Sequence, residues 1–244
     1  MDDEARIPAW KGKGAILLWV IIFVITLFGF SLLQTYFKNA LGIPQGIWLG
    51  IIITEMSIAL ICLFFALVSR KSSLEELGIK RPPMKWLVLA VILAPVILVI
   101  TGFVITIQTA LTGEIPAEIQ EEYIRLLMPT SATTLIVWIL IYLLFVGPAE
   151  ELFARGIVQK GLQNSFRAKS LPILLSGLLF GVWHIDPYRI AGVTAGGICF
   201  AYIYYKSGNN LIVVALLHGM YDAFSITIAF IAQQYLPTGG IPLI

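Results

Sequence analysis

Two histidines and three carboxylates, set in apolar sequence, hold most of the chemistry open to this chain. His184 and His218 are its only histidines, and Glu150, Glu151 and Asp222 lie in the same half. A histidine beside an unpaired carboxylate can take a proton from water and return it to a leaving group, so the set suits acid–base catalysis. His218 and Asp222 are four residues apart in His-Gly-Met-Tyr-Asp, a spacing that projects both from one face of a helix. Glu151 and Arg155 share that spacing and can pair with each other. Glu150, about 100° round the helix, is left to point elsewhere. The economical division has Arg155 neutralise Glu151 and hold the helix while Glu150 does the chemistry. The plainer alternative makes all of them buried polar contacts that lock helices together. Glu55, alone in its segment, is assigned to that alternative, or to the lining of a water-filled cavity.

The elements that must position these residues are membrane helices. The chain has 244 residues, 59% of them hydrophobic and 12% charged, where soluble domains carry about 25% charged residues. Its mean hydropathy is +0.91. A soluble globular domain, a disordered chain and a small disulfide scaffold are excluded together, and a net charge of +2 gives no footing for nucleic acid. Cys62 and Cys199 sit inside apolar runs without a metal or redox spacing and read as packing residues. Seven apolar segments are expected to form spans: Ala15 to Phe37, Ile47 to Ser69, Trp86 to Leu111, Thr133 to Gln163, Leu171 to His184, Tyr188 to Tyr205, and Asn210 to Tyr235. A further helix that dips in or lies flat is expected around Ile115 to Met128, so the fold class is an all-α, polytopic membrane helix bundle of seven to eight transmembrane helices. It reads as a single integral membrane domain over 1–244, its motif-bearing part at about 134–236. The glycines from Gly192 to Gly197 are suited to close helix packing.

Alternate connections divide the basic residues unevenly. Thirteen, from Arg6, Lys11 and Lys13 through Arg70, Lys71, Lys80, Arg81 and Lys85 to Arg155, Lys160, Arg167, Lys169 and Lys206, fall on one side, against Lys38, Arg125 and Arg189 on the other. The positive-inside rule puts the N-terminus in the cytoplasm and the C-terminus outside, which needs an odd number of crossings. At about 1.5 Å per residue from the basic end of each span, Glu150 and His184 both lie roughly 20 Å deep, His218 roughly 12 Å and Asp222 roughly 18 Å. Three helices of alternating direction thus bring the ionisable groups to similar depths, where each is costly and therefore functional by default.

In these residues the sequence resembles the CPBP intramembrane protease family, which includes the type II CAAX prenyl endopeptidases and the Abi proteins. Glu150-Glu151-Leu-Phe-Ala-Arg155 matches EExxxR, Phe180-Gly-Val-Trp-His184 matches FxxxH, and His218-Gly-Met-Tyr-Asp222 matches the closing HxxxN or HxxxD pattern. Leu74-Glu75-Glu76-Leu77-Gly78 is a fainter likeness. The resemblance implies a bundle of about eight helices with a cavity reached from the cytosolic side. It also implies hydrolysis of a peptide bond next to a lipid-modified cysteine. Carried over, Glu150 is the general base, His184 orients or shares the water, Arg155 supports Glu151, and His218 donates to the oxyanion. CAAX-type members often have Asn at the last motif position. An ionised Asp222 can only accept a hydrogen bond, so it must be protonated, orient His218, or ligate a metal.

The expected partners are membrane lipids and prenylated CAAX proteins or peptides. Metal-free chemistry is slightly favoured, because no HExxH pair is present; were zinc bound, Glu150, His184, His218 and Asp222 would hold it. Two other functions compete. Intramembrane acids and histidines also mark proton- or ion-coupled transporters, although no repeat symmetry is found here. A non-catalytic immunity or scaffold protein would keep the same residues as packing.

Overall fold

The computed structural model describes residues 10–235; Arg6, counted above among the basic residues, lies outside them. Eight helices follow one another among the described residues: α1 Gly12–Leu41, α2 Gln45–Ser69, α3 Met84–Thr112, α4 Ala117–Leu127, α5 Ala132–Gln163, α6 Ser170–Trp183, α7 Ile190–Lys206 and α8 Leu211–Tyr235. No strand is present among these residues, as the apolar runs and sparse turn signals require.

All seven expected spans are helical, but they are not equivalent. α1, α2, α3, α5 and α8 are long and apolar enough to cross a bilayer. α6 has 14 residues and α7 has 17, about 21 and 26 Å of helix, short of a hydrocarbon core of about 30 Å. They form a hairpin whose tip, residues 184–189, is held by Gln108 one turn before the end of α3. The eight helices agree with the expected bundle of seven to eight, and five of them are long and apolar enough to cross a bilayer by length and composition. The fifth expected span, Leu171 to His184, is already short for a full crossing in the sequence. The parity is unchanged, since a hairpin returns to the side it left. α4 is the expected additional helix and is amphipathic, with no fully buried residue.

α5 places the EExxxR residues, and it is not a regular helix. Ser131 and Thr134 form a reciprocal capping box at its start, satisfying amide groups that have no partner within the helix. Wide π-type turns run over Tyr142–Val146 and Leu152–Gln159, on either side of Gly147–Glu151. Pro148 cannot donate a backbone hydrogen bond and crowds the preceding turn, which accounts for the first widening. Such turns recur at functional sites.

Glycines let α5 and α8 meet backbone to backbone. A Cβ at Gly147 would lie 2.8 Å from the Gly219 amide nitrogen, and one at Gly219 2.9 Å from the Leu143 Cα; neither can move aside. This contact sets His218 against Glu151. α6 and α7 cross as closely at Gly177 and Gly197, and the expected small-residue face of α7 packs there and, through Gly192 and Gly196, against α3.

The two ends of the bundle are built differently. At the basic end, the connections interlock: the Leu211 amide donates to the Gly78 carbonyl at 2.8 Å, Asn210 to the Lys80 carbonyl at 3.2 Å, and the Gly12 amide to Ser165 at 2.7 Å. At the other end, Gln108 of α3 grips the hairpin tip, donating to the Pro187 carbonyl at 2.6 Å and accepting from the Ala191 amide at 2.9 Å.

Candidate active site

The backbone crossing of α5 and α8 creates a buried chain of polar groups. Glu151 and Arg155 are wholly buried, with Arg155 Nε 3.1 Å from Glu151 Oε2. The other Glu151 oxygen is 2.9 Å from His218 Nδ1. Arg155 Nη2 donates to the Gly197 carbonyl at 2.8 Å, and its guanidinium lies over the Phe180 ring, 4.6 Å from the centroid. One turn further, Gln159 donates to the Ala201 carbonyl at 3.0 Å. Arg155 and Gln159 thus bolt α5 to α7 at matching four-residue steps. A buried ion pair is tolerated only with such additional partners.

Glu150 points the other way. Its Oε2 has no hydrogen-bond partner among the described residues, yet it lies 3.6 Å from His184 Nε2 and 4.0 Å from His218 Nε2. His218 Nε2 is also 3.4 Å from Asp222 Oδ2. The four residues singled out in the sequence therefore converge on one small volume, with Glu151 and Arg155 immediately behind it.

The imidazole tautomers follow from the partners. His184 Nδ1 is 2.8 Å from the Phe180 carbonyl oxygen, which can only accept, so Nδ1 carries the hydrogen and the neutral ring presents the Nε2 lone pair to Glu150. His218 Nδ1 likewise donates to the Glu151 carboxylate. The Phe180 and Trp183 rings meet His184 edge to face, 4.6 and 5.4 Å away, and hold its plane. His184 ends α6, and Ile185 after it takes a left-handed φ of 54° that turns the chain into the hairpin tip.

A cavity of about 390 Å³ lies over that tip, lined by His184, His218 and Asp222 together with Tyr142, Phe200 and Tyr221, a size in the range of small-ligand pockets. It is bounded above by Tyr123, Leu127 and Met128 at α4. This end carries α4, opposite the interlocked basic connections.

Three residues of this region were not singled out in the sequence. Asp186 accepts from Arg189 Nε at 2.6 Å and from the Tyr188 and Arg189 amides at 3.0 and 3.2 Å, which fixes the tip. The Arg189 guanidinium lies 4.9 Å from the Tyr123 ring centroid. Burial, reinforced by Asp186, pushes the Tyr123 phenol above its usual range. Asp186 and Arg189 are three apart in a connection, where a charge pair is ordinarily solvated, so their role has no signature in the sequence. Glu55, assigned to packing, is buried in α2 and is a like-charged neighbour of both Glu150 and Asp222.

Among the described residues no cluster of three or more His, Cys, Asp and Glu side chains is shaped as a cation site. Glu150 Oε2, His184 Nε2, His218 Nε2 and Asp222 Oδ2 nevertheless form a donor set of the chemistry zinc accepts, each imidazole having its second nitrogen tied to an oxygen as metal-bound histidines do.

Residues 132–224, less than half of the chain, match the Rce1-like family, described as type II CAAX prenyl endopeptidase Rce1-like. The matched span includes every motif residue from Glu150 to Asp222. An uncharacterized protein of Mycoplasma capricolum subsp. capricolum is 34% identical over 101 residues, covering 40% of this chain and 29% of that protein, so the match spans less than a third of the relative's length. No solved structure matches. With its five long apolar helices, the protein is a multi-pass membrane protein.

Proposed function

We propose that the protein is an intramembrane endopeptidase of the CAAX type that hydrolyses a peptide bond with a water molecule activated by Glu150 and His184. One observation carries the reading: of two adjacent buried glutamates, Glu151 has Arg155 Nε 3.1 Å from one oxygen and His218 Nδ1 2.9 Å from the other, while Glu150 Oε2 faces two imidazole nitrogens at 3.6 and 4.0 Å. The Glu150 carboxylate takes the proton of a water that also donates to the His184 Nε2 lone pair. The water oxygen attacks the scissile carbonyl carbon, and the resulting oxyanion accepts a hydrogen bond from His218 protonated at Nε2. Collapse of this intermediate breaks the C–N bond, and the proton held by Glu150 passes to the leaving nitrogen. Asp222, one helical turn from His218 and 3.4 Å from Nε2, orients that ring. Zinc, if held by the same four residues, would add Lewis-acid polarisation of the carbonyl.

The test is cleavage of a quenched farnesylated CAAX peptide, and of its unprenylated twin, by the purified protein in proteoliposomes. Wild-type release of the C-terminal tripeptide, lost in Glu150→Gln, supports the reading, and a lane with a zinc chelator separates metal-assisted from metal-free activation. A proton-coupled transporter would draw on the same buried acids, Glu55, Glu150 and Asp222. It requires flux driven by a pH gradient in liposomes, lost with Glu150→Gln, in place of peptide release.

A further inference from the structure

We infer that Arg189 determines which peptides the cavity accepts, by holding the free C-terminal carboxylate of a short segment whose scissile bond lies at Glu150 and His184. This deepens the peptidase reading and rests on it for the scissile bond; the carboxylate contact is a matter of binding alone.

The first observation is what lines the cavity. His184, His218 and Asp222 bring acid–base groups to it, and Arg189, across the tip from His184, brings a guanidinium. Among the described residues Arg189 is the only Lys or Arg in the lining; Arg125 of α4 is paired with Glu122 and stands outside it. Much of the remaining wall is apolar, from Ile105, Val193, Phe200 and Ile226. An anion entering such a space is costly to desolvate unless a cation meets it, and the anion that a peptide carries at its end whatever its sequence is the α-carboxylate.

The second observation is how Arg189 is held. Asp186 Oδ1 accepts from the Tyr188 and Arg189 amides at 3.0 and 3.2 Å, and Oδ2 takes the side chain through Nε at 2.6 Å. Two neutral amides thus share the aspartate's charge with the guanidinium. The Asp186 contact uses Nε, whereas the end-on fork that grips a carboxylate is made by the two Nη groups. The Tyr123 ring, 4.9 Å from the guanidinium carbon, fixes its plane. The Arg189 side chain is 26% exposed, where that of Arg155 is wholly enclosed. His184 is among its electrostatic neighbours, as are Tyr142 and Tyr221 on the facing helices, so its charge reaches the reacting groups. Asp222, the other acid of the lining, has His218 Nε2 at 3.4 Å. Each acid has a donor of its own, and the guanidinium is the group placed to take an incoming carboxylate.

The purified full chain in proteoliposomes is given a quenched farnesylated peptide with a free C-terminus and the same peptide as its C-terminal carboxamide. The wild type is expected to favour the acid by about ten- to a hundredfold in kcat/KM, the range of hydrogen bonds to a charged group, and to do so through KM. Arg189→Gln is expected to raise KM for the acid to that for the amide while leaving the amide's kcat and KM unchanged. A loss that falls equally on both peptides makes Arg189 a residue of the tip alone and overturns the inference, as does a wild type that does not distinguish them. Val193→Glu, one turn along α7 and in the cavity lining, offers Arg189 an internal carboxylate and serves should Arg189→Gln fail to accumulate: it is expected to erase the preference for the acid, and a preference that persists overturns the inference. Binding of fluorescent versions of both peptides to the Glu150→Gln protein is scored separately. Absence of cleavage of either peptide by the wild type removes the peptidase reading; tighter binding of the acid then still supports the carboxylate contact, and equal binding overturns it.

Discussion

The two faces of α5 carry the same kinds of residue and treat them in opposite ways. On one, Glu151, Arg155 and Gln159 are buried among the carbonyls of α7 and the Nδ1 of His218. On the other, Glu150 faces His184 and His218 at 3.6 and 4.0 Å, too long for good hydrogen bonds, beside a cavity. Neighbours in sequence thus become a structural and a chemical carboxylate because a Gly–Gly crossing and a glutamate–arginine pair satisfy one and leave the other. The difference teaches that in apolar surroundings it is incomplete pairing, not burial, that marks a reactive group.

Substitutions that treat the two faces differently test this. Glu150→Gln keeps shape and removes the base. It is expected to reduce turnover by about a hundredfold to ten thousandfold while the yield and melting temperature of the purified protein stay at the wild-type level; equal loss of both would erase the distinction. Arg155→Leu is expected to do the reverse, destabilising the bundle by about 3–5 kcal/mol because Glu151 is left charged and buried without its partner. Thermal aggregation in detergent reads this, and the Glu151→Gln, Arg155→Leu double variant should recover part of it. Gln159→Leu removes one buried hydrogen bond to Ala201 and is expected to cost about 1 kcal/mol with unchanged kcat. Asp222→Asn, which keeps the geometry, is expected to change kcat/KM by less than about tenfold if Asp222 only orients His218. A loss as large as that of Glu150→Gln would instead make it a catalytic group.

The EExxxR, FxxxH and HxxxD residues were legible because charges are rare in apolar sequence and helical periodicity reports which share a face. The opposite fates of Glu150 and Glu151 followed from the four-residue spacing to Arg155. The cavity was not legible. The break between α6 and α7 shows in the sequence, where one span ends at His184 and the next begins at Tyr188, but the left-handed Ile185 and the Asp186 turn that shape the tip have no signature of their own. The role of Gln108, which clamps the tip from 79 positions away, has no local signature. Glu55 was set apart for a related reason: only the packing of α2 against α5 brings it to the other acids.

The short hairpin also acts on the lipid around it. Leu174, Leu178 and Val182 on α6 are exposed along its length and meet acyl chains, yet the helix spans only about 21 Å of a core of about 30 Å. Lipids beside it must thin to match. A bilayer thinned in this way brings the headgroup layer and its hydration closer to the level of His184 without a channel through the protein.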